Sequence, residues 1–164
     1  MTGVAPQTML WFLPLLLPVA IWVAWSDMKF MKIPNKAVLT LAAVWLVAGP
    51  VLVPWQVWGW GWALGAMALG VGFLLSAAGL VGAGDAKFAA AMAPFFAGAD
   101  LRLVVALFAA CLLGAFVGHR AMGRVPAFRS ATADWESWQR RDFPMGLALS
   151  GTLIFYPAAA VFLT

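Results

Sequence analysis

Charge is what this sequence has least of. Ten of its 164 residues are Lys or Arg and six are Asp or Glu, 10% in all, where a soluble domain carries about 25%. Hydrophobic residues make up 65%, against roughly 45–50% in soluble domains. A chain of this length cannot hide that much apolar surface in a core of its own, so a soluble globular domain is excluded and a bilayer is the expected solvent. Cysteine is also nearly absent. The single Cys111, inside an apolar run, excludes an internal disulfide and a cysteine-based zinc site. With one histidine, His119, no metal cluster is evident, and no metal or other cofactor is expected. The net charge of +4 does not point to nucleic acid, because the basic residues are too few and too interrupted to form a phosphate-tracking face. No Lys or Arg precedes Lys29, so the first apolar stretch lacks the basic n-region of a secretory signal and is expected to be a retained span.

What is present is a series of apolar runs. A helical span needs about 20 apolar residues. Runs at about 8–25, 37–53, 59–80, 86–97, 103–118 and 143–163 predict an all-α, polytopic membrane helix bundle of about six transmembrane helices, forming a single domain over 1–164. The fourth run is short for a crossing and is expected to be shielded in part by its neighbours. Trp55, Trp58, Trp60 and Trp62 read as an interfacial aromatic belt around the second turn. Small residues in the third to fifth spans suit close helix packing. One long polar loop is expected at 119–142. Lys29, Lys32, Lys36, Lys87, Arg120, Arg124, Arg129, Arg140 and Arg141 fall on one side of this topology, and Arg102 alone on the other. By the positive-inside rule the nine lie in the cytoplasm and both termini outside, in a multi-pass cell inner (cytoplasmic) membrane protein.

The six acids divide. Asp100, Asp134, Glu136 and Asp142 sit in turns or the polar loop, where solvation explains them. Asp27 and Asp85 lie at span ends on the same, cytoplasmic side. An ionisable group at membrane depth is expensive and therefore a candidate functional group. Taken singly, each has a structural explanation. Asp85 follows Gly82 and Gly84 and is a favoured residue for capping a helix that starts there. The glycines complete neither a dinucleotide fingerprint nor a P-loop. Lys87 either biases a nearby carboxylate toward ionisation or snorkels to the interface. Asp27 ends a span before a lysine-rich stop, where Pro34 fixes a bend and Asn35 is placed to cap the second span. Taken together, two carboxylates that approach closely cannot both ionise easily. They share a proton, and such a pair can activate water without a metal or a covalent intermediate. Proton or cation sites of a small transporter or channel are the alternative, although such sites usually lie at the midplane.

The segments around the pair resemble a known family. Asp27 followed by Ile33-Pro34-Asn35, and Gly82-Ala83-Gly84-Asp85-Ala86-Lys87, are similar to the two signature segments of type IV prepilin peptidases, the GxGD-type intramembrane aspartic peptidases. Phe143-Pro144-Met145-Gly146-Leu147-Ala148 resembles the family's Pro-aromatic-Gly segment, with Met145 where an aromatic residue is more usual. The resemblance extends from Asp27 to Gly151. It implies Asp27 and Asp85 as the catalytic pair, supported by Ile33, Pro34, Asn35, Gly82, Gly84, Lys87, Pro144 and Gly146. It also implies a prepilin-like protein substrate, cleaved at the cytoplasmic membrane face, commonly after a glycine. Longer members carry an extra cytoplasmic region, often with paired cysteines, that N-methylates the new terminus. The short polar stretch after the first span and the lone cysteine instead suit the short tad/Flp-pilus or archaeal type without it. The sequence does not specify an oligomeric state.

Overall fold

A computed structural model describes residues 4–140 and 142–163. Arg141, one of the nine basic residues, and both chain ends lie outside the described residues. The described chain is helical throughout: α1 (Pro6–Phe30), α2 (Asn35–Leu52), α3 (Trp55–Ala77), α4 (Ala83–Met92) with a 3-10 turn (Ala93–Phe96), α5 (Leu101–Met122), α6 (Pro126–Ala131), a second 3-10 turn (Glu136–Trp138) and α7 (Met145–Leu163). Five of these, α1, α2, α3, α5 and α7, are long and apolar enough to cross a membrane.

The fourth run is a different kind of crossing. Residues 83–96, as ten α-helical residues and a four-residue 3-10 turn, reach only about 23 Å, less than the ~30 Å of a hydrocarbon core. Its two ends nevertheless sit at opposite ends of the bundle. Ala97 accepts a hydrogen bond of 2.9 Å from the backbone N–H of Val4, just before α1 starts. Gly84 lies against Ile33, just after α1 ends. Chain direction therefore alternates through six passes, five long and one short. The short one is surrounded: Ala86, Phe88, Met92, Pro94 and Phe95 are buried. Glycines on α3 let it close in, Gly72 against Ala86 and Gly65 against the Ala90 carbonyl.

α1 and α7 pack along most of their length at the centre, and α5 leans on α7 at the edge, with no buried residue in the core of its span. Pro14 and Pro18 within α1, Pro50 in α2 and Pro157 in α7 remove backbone donors without ending those helices. What ends α1 is Met31 in the left-handed region (φ 50°), whose N–H bonds the Asp27 carbonyl. The Ser26 hydroxyl then donates to the Lys32 carbonyl (2.9 Å), and Pro34 starts α2.

Three expectations need correction. The tryptophans of 55–62 do not form a belt in a turn, because α3 begins at Trp55 and all four ride on its first two turns. Trp55 and Trp60 face outward, whereas Trp58 and Trp62 pack against the core. Trp58 Nε1 donates to the Trp45 carbonyl (3.1 Å) and Trp45 Nε1 to the Trp58 carbonyl (3.3 Å), a reciprocal clasp between α2 and α3. Gly61 makes room for it, since a Cβ there would overlap the fully buried Trp45 ring. Second, Asn35 does not cap α2; Pro34 holds the cap position and Asn35 is the first helical residue. Third, the polar loop starts later than 119. α5 continues to Met122, so His119 is a buried residue of its last turns, and the rest of the loop folds as α6 and the second 3-10 turn.

The tryptophan clasp is testable. Trp45→Ala empties the largest fully buried site and is expected to destabilise the protein by about 3–5 kcal/mol. Trp45→Phe keeps most of the ring, loses one hydrogen bond and costs less than the alanine variant. Denaturant unfolding in detergent micelles, followed by circular dichroism, checks the order.

Candidate active site

Asp27 is a residue of α1 itself, because the helix extends to Phe30 and not to about residue 25. It is one turn from the helix end and buried, at 5% exposure. A buried carboxylate needs partners. Its Oδ2 accepts a 2.7 Å hydrogen bond from the backbone N–H of Gly146, the second residue of α7. The first turn of a helix offers free N–H groups and the positive end of the helix dipole, so this is a favourable seat for an anion. The approach requires glycine. A Cβ on residue 146 would lie 2.9 Å from both the Cβ and Oδ2 of Asp27. Pro144, fully buried, precedes the turn and fixes where α7 begins.

Asp85 is the third residue of α4, half-buried in the first turn. Gly82, and not Asp85, holds the cap position, and no side-chain cap bond is made there. The capping role that would explain Asp85 by itself is therefore not realised. The carboxylate folds back over Gly82, where a Cβ would come within 2.5 Å of its Oδ2.

The segment between α1 and α2 joins the two acids. Ile33, buried, packs its Cβ about 3.4 Å from where a Gly84 side chain would start, so a bulkier residue at either place separates α4 from the 31–34 turn. Lys87 Nζ donates to Asn35 Oδ1 at 3.3 Å, linking the first turn of α4 to the first turn of α2. Lys87 is exposed and is bonded to this amide, which makes it a tether between the two segments. Pro34 sits between, at the start of α2. All the residues singled out in the sequence, Asp27, Ile33, Pro34, Asn35, Gly82, Gly84, Asp85, Lys87, Pro144 and Gly146, therefore converge on one end of the bundle. Among the described residues no group of three or more His, Cys, Asp or Glu is placed to hold a metal ion.

Two acids of the polar loop have partners of their own. Asp134 pairs with Lys29 (3.1 Å), which draws the loop back over the end of α1, and Glu136 pairs with Arg140 (3.1 Å). Ser26 was missed as a structural partner of the site. Its position next to Asp27 was visible, but a hydroxyl reaching six residues ahead leaves no periodic trace in a sequence.

A model of the type IV leader peptidase family matches residues 14–119, well over half of the chain. The match includes Asp27, Ile33-Pro34-Asn35 and Gly82 to Lys87, and it ends before Pro144 and Gly146, which reach the site through the fold. No curated protein and no solved structure matches the chain.

Proposed function

The chain belongs to the type IV leader peptidase family, and we propose that within it the protein is an aspartic endopeptidase that removes the leader from prepilin-like precursors at the cytoplasmic face of the membrane. The observation that carries this reading is the placement of Asp27 and Asp85 at one end of the bundle. One is locked by the Gly146 amide, and the other folds back over Gly82 in the first turn of α4. Two carboxylates so placed can hold one proton between them.

The chemistry follows from that single proton. The ionised carboxylate takes a proton from water as the water oxygen attacks the scissile carbonyl carbon. The protonated carboxyl donates its hydrogen to the carbonyl oxygen. In the resulting tetrahedral intermediate the roles exchange: the acid formed in the first step protonates the departing amine, the C–N bond breaks, and the pair returns to one shared proton. The Gly146 N–H holds Asp27 in one rotamer throughout, so the geometry is set before substrate arrives.

The position of the pair supports the substrate class and the face. Lys29, Lys32, Lys36 and Lys87 stand at the same end of the bundle as the two aspartates, and the Lys29–Asp134 pair draws the basic loop to that end. This asymmetry favours the cytoplasmic side and an inner-membrane location. Only residues 31–34 separate α1 from α2, which leaves no space there for a methyltransferase region and supports cleavage alone, as in the short tad/Flp type. Placement of both acids at the bundle end, together with family membership, favours hydrolysis over transport.

Asp27→Asn and Asp85→Asn keep side-chain size but cannot share a proton. Each is expected to lower leader cleavage about 10²–10⁴-fold in membranes, with protein levels unchanged. Full cleavage by either variant, followed as the mobility shift of a precursor, rules the dyad out. Gly146→Ala is expected to cost most of the activity as well, by displacing Asp27, while the protein still inserts and folds. A shared proton predicts a rate that falls on the alkaline side as the pair loses it, and a pH–rate profile with no alkaline limb contradicts proton sharing.

A further inference from the structure

Two cavities outside the aspartate pair share a wall, His119. The first, about 500 Å³, lies between the end of α5 and the loop that follows. Three guanidinium groups, from Arg120, Arg124 and Arg140, line it against one carboxylate, Asp142. Arg120 also lies over the Phe116 ring (4.9 Å), and Arg140 is paired with Glu136. Two buried polar atoms on its wall, His119 Nε2 and Ser137 Oγ, have no hydrogen-bond partner among the described residues, although their residues are only 8% and 3% exposed. Buried donors of this kind are normally satisfied, so a cationic pocket that leaves two of them open has the chemistry of an anion seat.

The second cavity, about 550 Å³, runs along α1, α5 and α7 and is walled by small apolar residues such as Ala20, Ala24, Ala110, Gly114 and Gly151. A Cβ placed on Gly114 meets nothing within 4 Å, so the groove is open there. All three helices that form it are long enough to cross the membrane. A polar, cationic pocket at the end of the bundle thus joins an apolar groove running along the spans. A free anion would occupy the first and leave the second empty. A basic leader peptide would be repelled by the three arginines.

We propose that the two cavities form one binding site for an anionic phospholipid. The headgroup phosphate is seated by Arg120 and Arg124, with Ser137 and His119 as further donors, and an acyl chain lies in the groove between α1, α5 and α7. Arginines at and just beyond a span end, as Arg120 and Arg124 are, attract anionic lipid, and each contributes to selectivity over a zwitterionic headgroup. The site is distinct from the aspartate pair, and its occupancy is read without any peptidase substrate.

Native mass spectrometry of the purified full chain, titrated with phosphatidylglycerol, phosphatidylcholine or inorganic phosphate, tests it. Phosphatidylglycerol is expected to bind about thirtyfold more tightly than phosphatidylcholine, and Arg120→Gln/Arg124→Gln to abolish that preference. Gly114→Leu, whose Cβ meets nothing within 4 Å, adds side-chain volume to the groove and is expected to weaken both lipids about tenfold. Inorganic phosphate is expected not to displace the lipid. Equal affinity for the two lipids, a preference that survives in the double variant, or unchanged binding by Gly114→Leu overturns the proposal. Displacement of the lipid by inorganic phosphate would make the pocket a free-anion site and also overturns the proposal.

Discussion

A single hydrogen bond joins the first helix to the last at the point where the chain buries a charge. The Gly146 N–H meets Asp27 Oδ2 at 2.7 Å across 119 residues of sequence. Its importance follows from solvation. A carboxylate at 5% exposure has lost most of its water, and an unpartnered buried charge is among the most costly defects a fold can carry. The first turn of α7 supplies what water no longer does, a free amide and the positive end of a helix dipole. The same bond sets the register of α7 against α1, the most extensive helix pair in the bundle. The electrostatic requirement of one residue and the packing of α7 on α1 are therefore met by one geometry.

The short fourth pass extends this logic. A helix of ordinary length carrying Asp85 at its start would place its far end beyond the turn at Ala97. Residues 83–96 reach the level of Val4 only by being enclosed, with Phe88, Phe95 and Pro94 buried and α3 closing in through Gly65 and Gly72. Enclosure keeps lipid away from a crossing too short to match it. It also surrounds Asp85 with protein, so that the carboxyl is half-buried in the first turn of α4.

Much of this was legible in the sequence because it depends on local composition. Apolar run length fixed the number of passes, and the scarcity of acids left Asp27 and Asp85 as the only carboxylates without a solvent explanation. The glycines before Asp85 pointed to a tight backbone turn at the start of a helix, and close approaches do occur at Gly82 and Gly84. What could not be read depends on pairs distant in sequence. The clasp between Trp45 and Trp58 turns Trp58 inward, a tryptophan that the sequence reading assigned to the interface. Asn35 has the chemistry of a cap, yet Pro34 already occupies the cap position and the amide serves Lys87 instead. His119 looked like a loop residue because basic residues follow it, but its helix runs on to Met122 and buries it.

The remaining link runs through α7. Its first turn fixes Asp27, while Leu147, Ser150, Gly151, Ile154 and Phe155, on the following turns, face the groove shared with α1 and α5. α5 contributes no buried residue to the core of its own span, so this side of α7 is held less firmly than the side packed on α1. Filling the groove would press on the helix whose N-terminus positions the carboxylate. The rigid contact, α1 with α7, carries the aspartate, and the looser contact, α5 with α7, carries the cavity. An anionic lipid seated there would complete the weakly packed face with apolar contacts and satisfy His119 and Ser137 at its end. The bilayer is then more than the solvent of this bundle, because one of its molecules supplies packing and hydrogen bonding that the chain itself leaves open.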